Sequence, residues 1–118
     1  MDKLEHLQAL NRQWMENRPI IAQTNADVQF VLRLLQQEVQ EAIEADENEL
    51  PQELADILLF TLTAFNAVDA DAFEETLTKI AFNTARYKEP LLDGSLPYDE
   101  ARTRVKQGEA DIKRDFYG

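Results

Sequence analysis

The stretch "LQQEVQEAIEADENELPQELADILLF", residues 35–60, decides how the chain is read. Its first half continues an apolar period: Val28, Leu32, Leu35, Val39 and Ala42 fall within a narrow arc at 100° per residue, so a helix runs to about Asp46. "DENE" is a turn. Pro51 suits the first turn of a second helix, roughly 50–68, because a proline there gives up an N–H that has no helical partner. Two helices with so short a connection must lie antiparallel. The stretch is a helical hairpin.

Outward from the hairpin, the pattern stays helical. Residues 2–17 place Leu4, Leu7, Leu10 and Trp14 on one stripe, and Asn17-Arg18-Pro19 ends that helix. Residues 18–24 read as a linker with Ile20 and Ile21 packed down. Thr24 or Asn25 is placed to cap the next helix, with Asp27 in its first turn. Asp71-x-x-Glu74 resembles a capping box opening a helix over 72–88, which Pro90 stops. "LLDGSLP" is a loop, and residues 98–107 form a short polar helix ended by Gly108, with a second helical piece after it. The tail "DIKRDFYG" keeps Ile112, Phe116 and Tyr117, so partial docking is expected. No alternating strand pattern occurs. The fold expected is all-α, an antiparallel helical bundle of about four to five helices. It is a single domain over 1–118, with 90–118 as a C-terminal extension.

Composition narrows the function. The chain of 118 residues has no cysteine, so it builds neither a disulfide framework nor a thiolate metal site, which suits a cytoplasmic setting. The start has no basic-plus-apolar secretory pattern, and no apolar run is long enough to span a membrane. A net charge of −11 argues against a nucleic acid polymer as partner. The distribution is sharper than the total. Residues 34–78 hold 12 acids and no Lys or Arg, whereas residues 79–114 hold 8 of the 12 basic residues.

The hairpin carries two carboxylate pairs at one spacing, Glu38-x-x-Glu41 and Glu53-x-x-Asp56. Residues three apart share a helix face. Alone, the first pair reads as solvated helix surface, and the second as acids favoured by the helix N-terminus. Together they offer four carboxylates to one spot, since Glu41 and Glu53 are nearly equidistant from the turn. The second pair also enters "LADILLFTLTAF", which is apolar on nearly every side, as in a buried core or an oligomer interface. Carboxylates there need a cation, and oxygen-only ligation suits Mg²⁺ or Mn²⁺. The single histidine, His6, lies far from the pairs and reads as a surface residue.

Lys79, Asn83 and Arg86 lie on one face of the following helix, flanking Phe73, Leu77, Ile80 and Thr84. Two cations and an amide suit phosphate oxygens, and equally suit salt bridges or a solvated face. Trp14, Phe82 and Tyr87 have the flat rings that stack on bases, but their spacing favours packing in the core.

Glu38-x-x-Glu41 with Glu53-x-x-Asp56, inside "LQQEVQEAIEA" and "ELADILLF", resembles the metal-binding motif of the MazG-like all-α nucleoside triphosphate pyrophosphohydrolases. "KIAFNTARYK" is similar to the helix that follows in that family. The likeness spans roughly residues 30–88. It implies cleavage of a nucleoside triphosphate between the α and β phosphates, giving a monophosphate and pyrophosphate. It further implies Mg²⁺ on Glu38, Glu41, Glu53 and Asp56, where it would polarise phosphate and acidify the attacking water, with one glutamate taking the proton. Lys79, Asn83 and Arg86 would contact the triphosphate. A homodimer or tetramer is implied too. It agrees with the apolar excess of the second hairpin helix, which a partner helix would cover. Two other readings are phosphoribosyl-ATP pyrophosphohydrolase, which shares the bundle and the acid motif, and a non-catalytic acidic helical interaction protein.

Overall fold

A computed structural model describes residues 2–87 and 93–118. Among the described residues the chain is all-α, with seven helices and no strand. The helices are α1 (Lys3–Glu16), α2 (Pro19–Thr24), α3 (Val28–Glu44), α4 (Leu50–Ala67), α5 (Ala72–Arg86), α6 (Tyr98–Gln107) and α7 (Glu109–Tyr117). None of them is long and apolar enough to cross a membrane. The chain forms two compact units, one up to Phe73 and one from Glu74 onward.

In the first unit α3 and α4 make the most extensive helix pairing, and α1 packs on α4 and α2. The hairpin turn is organised by Asp46. Its Oδ1 accepts from the backbone N–H groups of Asn48 and Glu49, both at 2.9 Å, and its carbonyl accepts from Leu50 N at 3.0 Å. This Asx turn supplies partners for N–H groups that a helix start leaves free. At the head of α1, Asp2 Oδ1 accepts from Glu5 N at 2.9 Å.

Two expectations for the segment before α3 are corrected. Residues 19–24 form a helix, not a linker: Pro19 stops α1 and also opens α2 at its first turn. Asp27, not Thr24 or Asn25, caps α3, accepting from Gln29 N at 3.0 Å and Phe30 N at 3.5 Å. The other two are committed elsewhere. Thr24 Oγ1 donates to Ile20 O at 2.8 Å, and Asn25 Nδ2 lies 3.6 Å from Met15 Sδ. Ile20 is also not packed down, being 79 % exposed.

Val31, Leu62 and Met15 are buried in this unit, together with two polar residues, Gln8 and Thr63. Gln8 knits α1 to the end of α4. Its Nε2 donates to Asn66 Oδ1 at 3.0 Å and Ala70 O at 2.8 Å, and its Oε1 accepts from Ala72 N at 2.8 Å. The turn it clamps contains Asp69, whose φ of 56° is left-handed.

The second unit takes in most of α5, with α6 and α7. Phe82 is buried, and the rings of Phe116 and Tyr117 meet it edge-on at centroid distances of 6.0 and 5.5 Å. The tail is therefore a helix docked through its aromatic residues. The expected end of the fourth predicted helix at residue 88, the stop at Pro90 and the start of the "LLDGSLP" loop lie outside the described residues.

Candidate metal centre and adjoining cavity

The α3–α4 hairpin sets Glu38 opposite Glu53 and Asp56. One carboxylate oxygen from each lies within 4.8 Å of the others, a spacing that can hold a single ion. Glu41, one turn along α3, belongs to the same electrostatic cluster. It raises the pKa of both Glu38 and Glu53, but it is not one of the three whose oxygens lie within 4.8 Å of one another. Glu38 Oε2 and Glu53 Oε2 are buried and, among the described residues, have no hydrogen-bond partner. Native structures rarely leave such atoms unpaired, so each calls for an explanation.

The electrostatics agree with the geometry. Glu38 has its pKa raised, first by desolvation, then by Glu41 beside it and by the charges of Asp56 and Glu53. Glu53 is raised by desolvation first, then by Glu41, Asp56 and Glu49. Glu41 and Asp56 thus make both glutamates harder to ionise. No lysine or arginine lies between residues 34 and 78 to relieve them locally. A half-buried all-oxygen donor set with two orphaned oxygens fits a hard divalent cation. It is not specific to Mg²⁺.

Asp56 also borders a cavity of about 630 Å³ in the same unit. Its apolar wall includes Leu7, Leu10 and Trp14 from α1, Ile20 from α2, and Leu59 and Phe60 from α4. The expected packing of Trp14 in the core is corrected here. The residue is 49 % exposed and lies on the cavity wall, and its ring carries the Arg18 guanidinium 4.2 Å from its centroid. Leu7 and Leu10 share the stripe, but the stripe faces this hollow. Asn11, Thr24, Asn25 and Thr63 supply polar groups to the wall. None of these four was legible as a site residue. The only trace is that threonine and asparagine interrupt otherwise apolar helix faces.

Lys79, Asn83 and Arg86 belong to the second unit, and their surroundings are specific. Arg86 Nη1 pairs with Glu109 Oε2 at 2.5 Å, and its Nε donates to Asn83 Oδ1 at 3.0 Å. The Arg86 guanidinium and the Lys79 ammonium lie 4.7 and 4.8 Å from the Phe82 ring centroid. Phe82 is core, as expected, and Tyr87 is half-buried beneath Arg86. Of the three residues expected to meet phosphate, Arg86 is thus bonded both to Asn83 and to Glu109 of α7.

No protein-family model, no curated protein and no solved structure matches the chain.

Proposed function

We propose that the protein is a Mg²⁺-dependent nucleoside triphosphate pyrophosphohydrolase that acts in nucleotide-pool housekeeping in the cytoplasm. The observation that carries the proposal is the shared position of Asp56. It belongs to a carboxylate cluster with two orphaned buried oxygens, and it borders an apolar cavity walled partly by an aromatic ring. A cation cradle beside a pocket for a flat apolar group is what a nucleoside polyphosphate requires.

Glu38, Glu53 and Asp56, with Glu41 beside them, are the residues that would hold the ion. A divalent cation there supplies positive charge that polarises phosphate and makes water more acidic. In the net reaction the oxygen of water bonds to the α-phosphorus, and the bond from that phosphorus to the bridging oxygen of pyrophosphate breaks. A carboxylate of the cluster accepts the water's proton. Trp14 and the leucines of α1 would enclose the base and exclude water from it. The same reading assigns Lys79, Asn83 and Arg86 to the charge of the triphosphate.

Self-association belongs to this proposal as well. Leu32, Val39 and Ile43 on α3, and Leu54 and Leu58 on α4, leave large apolar side chains exposed on the hairpin. A second copy in a dimer or tetramer would cover them.

The test is pyrophosphate release from a panel of canonical and modified nucleoside triphosphates in Mg²⁺, with phosphoribosyl-ATP included. Glu41→Gln and Asp56→Asn are assayed beside the parent protein. Turnover that falls in both variants is expected. No turnover of any substrate, together with no thermal stabilisation by Mg²⁺, would sink the enzyme reading. Selective turnover of phosphoribosyl-ATP would reassign the substrate.

A further inference from the structure

The polar stripe of α5 is a row of donors. Lys79 and Arg86 carry the cations, and both lie on the Phe82 ring. Asn83 stands between them and accepts from Arg86 Nε through its Oδ1 at 3.0 Å. A guanidinium can only donate, so the amide must give it the oxygen, and the two N–H bonds of Asn83 are left for another acceptor. Two cations and an amide donor on one helix face complement a polyanion.

The anion that meets this stripe in the structure is part of the chain. Glu109 Oε2 takes Arg86 Nη1 at 2.5 Å, from the first turn of α7. At the other end of the same helix, the Tyr117 ring lies 5.9 Å from the Lys79 ammonium. One short helix therefore engages both cations. It is lightly held. Nine residues are too few for a helix that is stable alone, and none of them is buried. Its grip on Phe82 consists of the edge contacts of Phe116 and Tyr117, and it joins α6 through the single residue Gly108. Segments with so few buried contacts open most readily.

We propose that α7 is an autoinhibitory helix: Glu109 holds Arg86 in place of a phosphate group, and a polyphosphate chain takes Arg86 and Lys79 only as α7 lifts from α5. A carboxylate brings one negative charge to the guanidinium, whereas a triphosphate brings several and can pair with Lys79 as well. Glu109 competes in spite of this because it is tethered, which gives it a high effective concentration. The apparent affinity for the polyphosphate is then lowered by the fraction of molecules in which α7 is lifted. The inference rests on the assignment of Lys79, Asn83 and Arg86 to the triphosphate.

The experiment is calorimetric titration of the full chain with inorganic tripolyphosphate in metal-free buffer. Glu109→Gln should bind roughly tenfold more tightly than the parent. Asp111→Asn removes the same charge from the same helix but touches only the Arg114 pair, so it should bind like the parent. Phe116→Ala loosens α7 with every charge kept and should also tighten binding, which covers a Glu109→Gln protein that fails to fold. Arg86→Gln should lose most of the affinity. In the parent, saturating tripolyphosphate should speed amide exchange in α7. Equal affinity in parent, Glu109→Gln and Phe116→Ala overturns the inference, as does binding with α7 still protected or no binding by any of them. Turnover of nucleoside triphosphates separates this result from the hydrolase reading. Tighter tripolyphosphate binding by both variants without any turnover upholds the autoinhibitory contact alone. Turnover with the same KM in parent and both variants overturns the contact and leaves the hydrolase standing.

Discussion

Arg86 and Glu109 form an ion pair at 2.5 Å with little access to water: their side chains are 16 and 27 % exposed. The pair joins the last turn of α5 to the first turn of α7, where the two helix termini favour a cation and an anion respectively. It works with the aromatic contacts of Phe116 and Tyr117 on Phe82 to hold the C-terminal helix.

Glu109→Gln keeps the shape and removes the charge. Hydrogen bonds to charged partners contribute about 1.5–3 kcal/mol, and glutamine can retain a weaker bond to Arg86. A loss of about 1–2 kcal/mol in denaturant unfolding is expected, with faster amide exchange in α7. Unchanged exchange in α7 would mean that the aromatic contacts alone dock the helix.

Gln8 offers a second structural test. Its side chain satisfies the Ala72 N–H, the Ala70 carbonyl and the Asn66 amide oxygen. Gln8→Ala leaves these groups in a site that is itself buried, and each unmet bond there costs more than an ordinary hydrogen bond contributes. A destabilisation of roughly 2–4 kcal/mol is expected from chemical denaturation. Arg12→Ala, which removes only the exposed 3.4 Å pair with Asp69 and a bond to Asn66, should cost under about 1 kcal/mol.

The hairpin was legible because several local signals agree there. The apolar arc, the acidic turn and Pro51 all point to α3 and α4, and the structure ends these helices within about two residues of the expected limits. The six residues of α2 were not legible, since a helix of under two turns shows no apolar period. Trp14 was misplaced for a different reason. Periodicity tells which residues share a face, but not whether that face is filled by other side chains. The carboxylate cluster was visible as two pairs at one spacing. Its orphaned oxygens were not, because burial of a single atom depends on how closely the two helices approach. Asn11 and Thr63 are 52 residues apart, and only tertiary packing brings them together.

Substituting the cluster should separate stability from activity. In the metal-free protein Glu38 repels its neighbours, so Glu38→Gln relieves repulsion and raises Tm. The same change removes a ligand, so the rise in Tm on adding Mg²⁺ should shrink. Pyrophosphate release should drop on the order of 10²-fold or more, as when a group that stabilises developing charge is lost. A variant that gains stability and loses activity assigns Glu38 to function. One that loses both would mark it as part of the packing.

The dependence on pH gives the sharpest test, because metal-free and metal-bound protein should respond with opposite sign. Glu38 and Glu53 have folded-state pKa values raised above the ordinary 4.5, mainly by desolvation and then by the neighbouring acids. A raised value means that the folded state binds protons more tightly than the unfolded chain. The stability this contributes is complete below 4.5 and is lost as pH rises through the folded values. Without metal, Tm should therefore fall as pH climbs from about 5 towards neutrality. Glu38→Gln/Glu53→Gln should flatten that slope, which separates these two groups from the many surface acids. With Mg²⁺ the trend reverses, because the ion must displace the same protons: its stabilising effect should grow over the window in which the metal-free protein weakens. Calorimetric melts of both proteins, with Mg²⁺ and with a chelator, measure all four slopes. Equal pH slopes in parent and double variant would remove the cluster as the cause.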